Sequence, residues 1–316
     1  MNPVTQVGEK EVLLSLPFNP ASHEIGEFVG REDEIREVMA AWMMGVDIRP
    51  QAPLLVGENG TGKNRLVYEL ARLLGKNLYV ETGRQSFKDE ELVCVLRPKD
   101  RPVKNSEWVI PVDYVLSQLA TAMLKGQIFF LDEIGSLCER DQNLLISLLD
   151  ERRYIDSTYL GERIYAQPGF LFIAATNRSD LDRGAMSPKI MARLAPIIDI
   201  GYPSEKEINE MIHKRGYLPS DGDEELMDLF WKLWRENNGD RPASPRHVIE
   251  FFRNIMGRAG LDNCFKNSPG VKRRNCNFKI VSLETLAGRI TTRHVEAAFP
   301  KFFGEKSKGS LKLFFL

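Results

Sequence analysis

A glycine-rich loop between an apolar segment and a helical segment most narrows what this chain can fold into. The loop follows apolar residues 52–56 and matches the pattern G-x-x-x-x-G-K, with the sequence Gly57, Glu58, Asn59, Gly60, Thr61, Gly62, Lys63 and Asn64. From residue 62 to 74, leucines recur on one face of a predicted helix. A strand that turns into a helix N-terminus presents backbone N–H groups and the positive end of the helix dipole to phosphates. This order of signals favours a phosphate-binding loop over a glycine-rich turn with a chance lysine.

The residue types in the loop indicate how a nucleotide would bind. Glycines let the backbone wrap around phosphates, and Lys63 would neutralise the β and γ phosphates, with Arg65 following at the helix start. The position after the lysine is usually Ser or Thr, whose hydroxyl binds Mg²⁺, but here it is Asn64. An amide oxygen can also bind Mg²⁺, provided that it meets an octahedral geometry at about 2.0 to 2.1 Å. We therefore expect ATP and Mg²⁺ as ligands, with metal affinity or turnover below the usual level.

Two carboxylates at the end of a second apolar segment form the next part of the predicted site. The apolar residues 128–131 lead directly into Asp132 and Glu133. The Asp132 carboxylate can hold Mg²⁺, and the Glu133 carboxylate can orient an attacking water. An isolated acidic pair could be the solvated end of a strand. Downstream of a phosphate-binding loop, the pair favours hydrolysis of a nucleotide.

Helical and extended signals alternate from about residue 25 to 201, which predicts an α/β domain with a parallel sheet flanked by helices. Strands are predicted at 52–56, 78–81, 128–131 and 170–176, and helices at 32–43, 62–74, 112–123 and 142–149. Residues 1–24 lack periodicity and are predicted to be an N-terminal arm. Residues 202–316 are predicted to form a smaller, all-helical lid domain with a polar insertion near 263–278, and its helices are expected at 205–215, 224–236, 245–256 and 292–299.

Composition excludes several classes of protein. The formal net charge is -1, so no global charge attracts the chain to nucleic acid. The four cysteines show no spacing of the C-x-x-C type, which favours reduced thiols. The longest apolar runs are too short to span a bilayer, and no signal-peptide pattern is present. We therefore expect a cytoplasmic protein without membrane insertion.

These motifs together resemble the AAA+ ATPases and, within them, the MoxR group with its CbbQ and NorQ relatives. The resemblance extends from about Phe28 to Phe299. It implies that Asn177, after apolar residues 172–176, helps to position water near the γ phosphate, although Asn177 could also cap a turn. It also implies that Val29 and Gly30 line an adenine pocket.

The same resemblance assigns tasks to two arginines. In the segment Ser187 to Leu194, Arg193 would reach into a neighbouring subunit's site and offset charge on the transferred phosphoryl group. Arg178 and Arg183 remain rival candidates for this task. Arg246, near a predicted helix start, would contact the γ phosphate from the lid of its own subunit. An exposed arginine near a helix cap is the plainer reading of Arg246.

Two further segments resemble insertions of the MoxR group. One lies between residues 82 and 110 and includes Lys88 to Leu92, and the other is a predicted hairpin at residues 154–167. In that group these insertions grip or remodel a protein on the axial face of a ring. The resemblance thus implies a homo-oligomeric ring, a hexamer, that acts as a chaperone-like ATPase on a partner, for example one with a von Willebrand A domain. Two alternatives stay open: a nucleotide-gated scaffold with slow or no hydrolysis, and a nucleic-acid motor or loader.

Overall fold

The chain divides into two compact units. In a computed structural model, the residues described are 2–19, 27–43, 48–85, 87, 90–98, 112–218, 223–266 and 290–303. The first unit, here called the α/β unit, comprises Met1–Ile25, Arg31–Glu58 and Gly62–Ile200. The second, here called the helical unit, comprises Gly26–Gly30, Asn59–Thr61 and Gly201–Leu316.

A five-stranded parallel sheet forms the centre of the α/β unit. Its order is β11 (Ile197–Asp199), β3 (Leu54–Val56), β10 (Leu171–Thr176), β7 (Ile128–Asp132) and β4 (Leu78–Thr82). Almost every residue of β3, β7 and β10 is buried, which explains why these strands are continuous apolar runs without alternation. The predicted parallel sheet with flanking helices, followed by a helical region, is confirmed.

Seven helices of the α/β unit accompany this sheet in the described residues. They are α1 (Glu32–Trp42), α2 (Lys63–Leu74), α3 (Gln118–Lys125), α4 (Glu139–Leu144), α5 (Ile146–Leu149), α6 (Arg178–Asp182) and α7 (Pro188–Met191). A short 3-10 helix, Ile134–Ser136, follows β7. Apolar side chains of helices and strands share one core, in which the rings of Phe129 and Phe172 lie 5.8 Å apart.

A second, four-stranded sheet corrects two expectations. Its order is β1 (Val4–Val7), β2 (Lys10–Leu13), β6 (Val112–Leu116) and β5 (Cys94–Pro98). The expected N-terminal arm is wrong for residues 4–13, because Val7 and Val12 are buried in the core and β2 pairs with β6. The expected helix at 112–123 is wrong at its start. Residues 112–116 form a strand, and α3 begins only after Ser117, whose side chain accepts a hydrogen bond from Ala120 N.

The predicted hairpin at residues 154–167 is present as β8 (Tyr154–Ser157) and β9 (Glu162–Tyr165), which pair in antiparallel fashion. Its turn is held by the Glu90 carboxylate, which accepts hydrogen bonds from Ser157 Oγ and from the backbone N–H groups of residues 158 and 159. Within the other predicted insertion, residues 94–98 are strand β5. Lys88, Asp89 and residues 99–110 lie outside the described residues.

The helical unit contains α8 (Glu205–Lys214), α9 (Asp223–Asn238), α10 (Pro245–Lys266) and α11 (Thr292–Phe303). Its core is aromatic, and the ring of Phe230 contacts Trp231, Phe251, Phe252 and Phe299. Of the polar insertion expected near 263–278, residues 263–266 are the end of α10, and the rest lies outside the described residues. No described helix combines the length and the apolar character needed to cross a bilayer.

Candidate functional site

The sheet order brings three predicted site residues to one edge. Lys63 follows β3, Asn177 follows β10, and Asp132 ends β7. In the sheet, β10 lies between β3 and β7 and pairs with both in parallel. Because parallel strands end at the same edge, the residues that follow them lie close together, where open α/β sheets bind their ligands.

The Lys63 ammonium is held at the mouth of the glycine-rich loop. Nζ donates to Gly57 O at 2.7 Å, to Glu58 O at 3.1 Å and to Asn177 Oδ1 at 3.1 Å. Lys63 is buried, with 7% of its surface exposed. The hydrogen bond to Asn177 links the loop to the next strand of the sheet, so a lysine and an amide are placed together at this edge of the sheet.

Asn64 contacts Asp132 through its nitrogen. Asn64 Nδ2 donates to Asp132 Oδ2 at 2.7 Å, while the backbone N–H of Glu133 donates to Asp132 Oδ1 at 3.0 Å. Each carboxylate oxygen of Asp132 therefore accepts a hydrogen bond from the protein. Tyr68, one helical turn after Asn64, lies beside this pair. Burial raises the pKa of the Tyr68 hydroxyl and the Asp132 charge adds to the rise, whereas a hydrogen bond with Asn64 opposes it.

Glu133 has an unusual backbone conformation. Its φ of 54° and ψ of 43° lie in the left-handed region, which is uncommon for a residue with a side chain. Burial raises the pKa of the Glu133 carboxyl, the negative charges of Asp132 and Asp180 raise it further, and Lys63 opposes them. A raised pKa suits a carboxylate that accepts a proton from water.

Gly83, which the sequence reasoning missed, packs against this turn. Its N–H donates to Asp132 O at 2.7 Å. A Cβ at position 83 would lie 2.2 Å from the carbonyl oxygen of Glu133 and 2.9 Å from the carbonyl carbon. These are backbone atoms that a side-chain rotation cannot move away. Only glycine lets the end of β4 approach Glu133 this closely.

We expect Gly83→Ala to slow any reaction that depends on Glu133, because the added methyl group would displace the Glu133 backbone. Overpacking of this kind costs about 1 to 3 kcal/mol, which would appear as a lower melting temperature. Nucleotide binding by the loop around Lys63 should persist. Gly201→Ala is the matched control, because a Cβ there meets nothing within 4 Å. Equal hydrolysis rates and melting temperatures for the two variants would contradict the proposed packing.

The helical unit holds another group of predicted site residues. Val29 is buried, and a Cβ on Gly30 would lie 2.4 Å from Glu207 Oε1 at the start of α8. A Cβ on Gly60 would lie 3.6 Å from Arg246 Cβ and 2.3 Å from Ser244 Oγ. The loop tip and the start of α10 are therefore in close contact, and Arg246 lies beside Gly60.

The remaining residues predicted to contact nucleotide lie on the loop and the first turn of α2. Thr61 is buried, whereas Glu58 and Asn59 are exposed and Arg65 is half-buried. Gly62 has a φ of 103°, a conformation that a glycine adopts without strain, at the position directly before α2. Its neighbour Lys63 is the first residue of the helix, so the loop ends at a helix N-terminus.

Two of the three candidate arginines form ion pairs with carboxylates of their own chain. Arg178 pairs with Asp199, which raises the pKa of the arginine. Arg183 pairs with Asp180, whose charge also raises the pKa of Glu133.

Arg193 has different contacts. Its Nη1 donates to Lys189 O at 2.8 Å, and its Nη2 lies 3.7 Å from Asp150 Oδ2, with 29% of the side chain exposed. Its buried Nε has no hydrogen-bond partner among the described residues. A hydrogen bond from Arg152, with a smaller effect of the Arg193 charge, lowers the pKa of Asp150 to about 2. The Arg193 guanidinium is thus held by one hydrogen bond to a backbone carbonyl and by a long ion pair.

Comparison with known proteins places this site in a known fold. Residues 53–194 match the family model described as AAA domain (dynein-related subfamily). The uncharacterized protein YojN of Bacillus subtilis (strain 168) is 26% identical over 256 residues, which cover 76% of this chain and 80% of YojN. An uncharacterized protein of Staphylococcus aureus (strain USA300) is 27% identical over 168 residues, which cover 53% of this chain and 62% of that protein.

Solved structures agree on the fold. Thermotoga maritima RuvB, described as a Holliday junction branch migration motor, superposes with a TM-score of 0.53 at 19% identity, and the match covers 90% of this chain and 76% of RuvB. Hsp104 of S. cerevisiae in a complex with casein superposes with a TM-score of 0.54 at 17% identity, covering 75% of this chain and 46% of that chain. Residues 53–194 therefore match the model of an AAA domain, and the fold is similar to those of RuvB and Hsp104.

Proposed function

We propose that this chain hydrolyses ATP with Mg²⁺ in a ring of identical subunits and uses the reaction to remodel a partner protein. The main support is that Lys63, Asn177, Asp132 and Glu133 lie together at one edge of the sheet. Lys63 donates a hydrogen bond to Asn177, and the Glu133 N–H donates one to Asp132. The charge of Lys63 also acts on Glu133, where it opposes the rise in pKa. Phosphoryl transfer needs such a combination: a cation for phosphate, a carboxylate for metal and a base for water.

Each side chain has a definite part in this proposal. Lys63 and the loop N–H groups bind the phosphates, and Glu133 accepts the proton of the attacking water. Asn177 accepts a hydrogen bond from Lys63 through Oδ1, which leaves its amide N–H groups to orient water. Arg246, beside Gly60, would contact the γ phosphate. Val29 and Gly30 would border the adenine.

The metal would be held by Asp132 and Asn64. The Asp132 carboxylate fits a hard cation such as Mg²⁺, which when bound neutralises phosphate charge. The Asn64 nitrogen faces Asp132, so the amide has to turn before its oxygen can bind a metal. Turning it loses a hydrogen bond to a charged group, worth about 1.5 to 3 kcal/mol. We therefore expect weaker Mg²⁺ binding than a hydroxyl at position 64 would give.

A ring of the MoxR kind is supported by two features of this chain. The ion pair of Arg193 with Asp150 is long, at 3.7 Å, and its Nε has no hydrogen-bond partner among the described residues, so Arg193 has donor capacity for a neighbour's phosphate. The hairpin at residues 154–165 occupies the position of the second MoxR insertion in the sequence. The protein partner, including one with a von Willebrand A domain, and the hexameric state rest on the MoxR resemblance.

A nucleotide-gated scaffold is the second candidate, because the Asn64–Asp132 hydrogen bond competes with metal binding. A nucleic-acid motor has less support. The similarity to RuvB concerns the fold, and the net charge of -1 offers phosphate backbones no global attraction.

Phosphate release separates the ATPase from the scaffold. The purified chain should release phosphate from ATP with Mg²⁺ and none with EDTA, and Asn64→Thr should do so faster or at a lower Mg²⁺ concentration, because a hydroxyl needs no rearrangement. Lys63→Ala is the control for contaminating ATPases. If neither the parent nor Asn64→Thr exceeds Lys63→Ala, the chain is not an ATPase. If Asn64→Thr is slower than the parent, the handicap assigned to Asn64 is wrong.

A further inference from the structure

Gln142 is a buried polar residue of α4 whose whole amide group is engaged. It is 2% exposed. Its Nε2 donates to Leu137 O at 3.0 Å and to Ala185 O at 2.9 Å, and its Oε1 accepts from Ser187 N at 2.8 Å. One side chain therefore satisfies three backbone groups on two segments that are more than 40 residues apart in sequence.

The first of these segments follows Glu133. The 3-10 helix Ile134–Ser136 comes directly after it, and Leu137 is the residue that ends this helix. Leu137 N donates back to Ile134 O at 3.1 Å, so the short helix is a closed turn. The turn that follows Glu133 therefore ends at the Leu137 carbonyl, which accepts a hydrogen bond from the Gln142 amide.

The second segment leads to Arg193. Ser187 is the N-cap residue of α7, but its side chain makes no capping hydrogen bond, and its buried Oγ has no partner among the described residues. Gln142 Oε1 instead accepts from the Ser187 backbone N–H. Arg193 lies two residues beyond the end of α7, next to the buried Leu194. Gln142 therefore fixes the start of the short helix that leads to Arg193.

We infer that Gln142 is a positioning residue that ties the turn after Glu133 to the segment carrying Arg193 within one subunit. The inference rests on the proposed function, because that function gives Glu133 a part in the subunit's own site and Arg193 a part in the neighbour's site. The amide link passes a movement at one site to the arginine that serves the next. Loss of the link should impair the arginine more than nucleotide binding by its own subunit.

Gln142→Met tests this inference, since methionine keeps a similar unbranched length and removes all three hydrogen bonds. ATP should bind the variant with parental affinity, while hydrolysis should fall about 10- to 100-fold, because a displacement of about 1 Å in a catalytic group costs up to 10²-fold. In a mixture of the two variants, the Lys63→Ala subunits keep Gln142 and Arg193, and the Gln142→Met subunits keep an intact glycine-rich loop. Some interfaces therefore pair an intact arginine with an intact loop. Hydrolysis should then rise above the sum of the two separate proteins.

A second mixture separates failure of this inference from failure of the ring mechanism. Arg193→Ala mixed with Lys63→Ala should recover activity if sites are shared. If this mixture recovers and the Gln142→Met mixture does not, Gln142 acts only inside its own subunit and the inference is overturned. If neither recovers despite co-assembly, the shared site is wrong as well. Parental hydrolysis by Gln142→Met would also overturn the inference.

A second substitution at position 142 covers the case in which Gln142→Met does not fold. Gln142→Glu keeps an oxygen that can accept from Ser187 N but replaces the donors to Leu137 and Ala185 by a second acceptor. It should keep ATP binding, lose hydrolysis, and recover activity with Lys63→Ala as Gln142→Met does. Parental hydrolysis by this variant, or no recovery in its mixture while the Arg193→Ala mixture recovers, overturns the inference.

Discussion

Glu133→Gln should abolish ATP hydrolysis and leave nucleotide binding intact. The amide cannot accept a proton from the attacking water, and removal of a general base costs about 10²- to 10⁴-fold in rate. Lys63, the glycine-rich loop and Asp132 are unchanged, so ATP should bind with parental affinity. Phosphate release and equilibrium binding of a fluorescent ATP analogue measure the two quantities separately.

The site geometry explains why Glu133→Gln should change the general base and little else. Glutamine has the shape of glutamate, so the left-handed backbone at position 133 and its contact with Gly83 stay the same. The substitution also removes a negative charge beside Asp132 and Asp180, so the folded chain should not be destabilised. Glu151→Gln, at an exposed position after α5, is the matched control. Parental turnover by Glu133→Gln would show that another group activates water.

Continuous apolar runs made the central sheet predictable. Residues 128–131 and 171–176 are buried on both faces, and such strands are recognisable without knowledge of their partners. The four-stranded sheet was missed because its strands are short and partly exposed, and their identity depends on pairing between distant segments. Val12 pairs with Tyr114, a hundred positions away, and no local pattern records that pairing.

In the site, too, local sequence patterns identified some residues, whereas residues that depend on distant contacts were missed. Lys63 and Asp132 were identified from motifs that follow apolar strands, Asn177 was identified from the resemblance, and the sheet order brings their positions together. Gly83 and Gln142 were missed because their importance lies in a close approach and in hydrogen bonds to distant backbone groups. A glycine directly after a strand was the available signal for Gly83. Gln142, in the polar sequence of α4, offered no comparable local signal.

Arg193→Ala should nearly abolish hydrolysis while each subunit still binds nucleotide. Arginine fingers contribute about 10³ to 10⁵ in rate when fully engaged. The contact of Arg193 with Asp150 is long, at 3.7 Å, and partly exposed. Such pairs are worth about 0 to 1 kcal/mol, so a neighbour's phosphate would mainly have to replace the hydrogen bond from Arg193 to Lys189 O. Lys189→Ala, an exposed change on the short helix that precedes Arg193, is the matched control because the Lys189 carbonyl that Arg193 contacts remains.

Mixing Arg193→Ala with Lys63→Ala decides whether the arginine acts across a subunit boundary. Lys63→Ala cannot hold phosphates but presents an intact Arg193, whereas Arg193→Ala has an intact loop and lacks the arginine. Where the two alternate in a ring, some interfaces pair an intact loop with an intact arginine, so part of the activity should reappear although neither protein has it alone. An arginine that served its own subunit would give no recovery, because no subunit then holds both groups. Full hydrolysis by a strictly monomeric form, or a mixture that stays inactive despite proven co-assembly, would contradict a shared site.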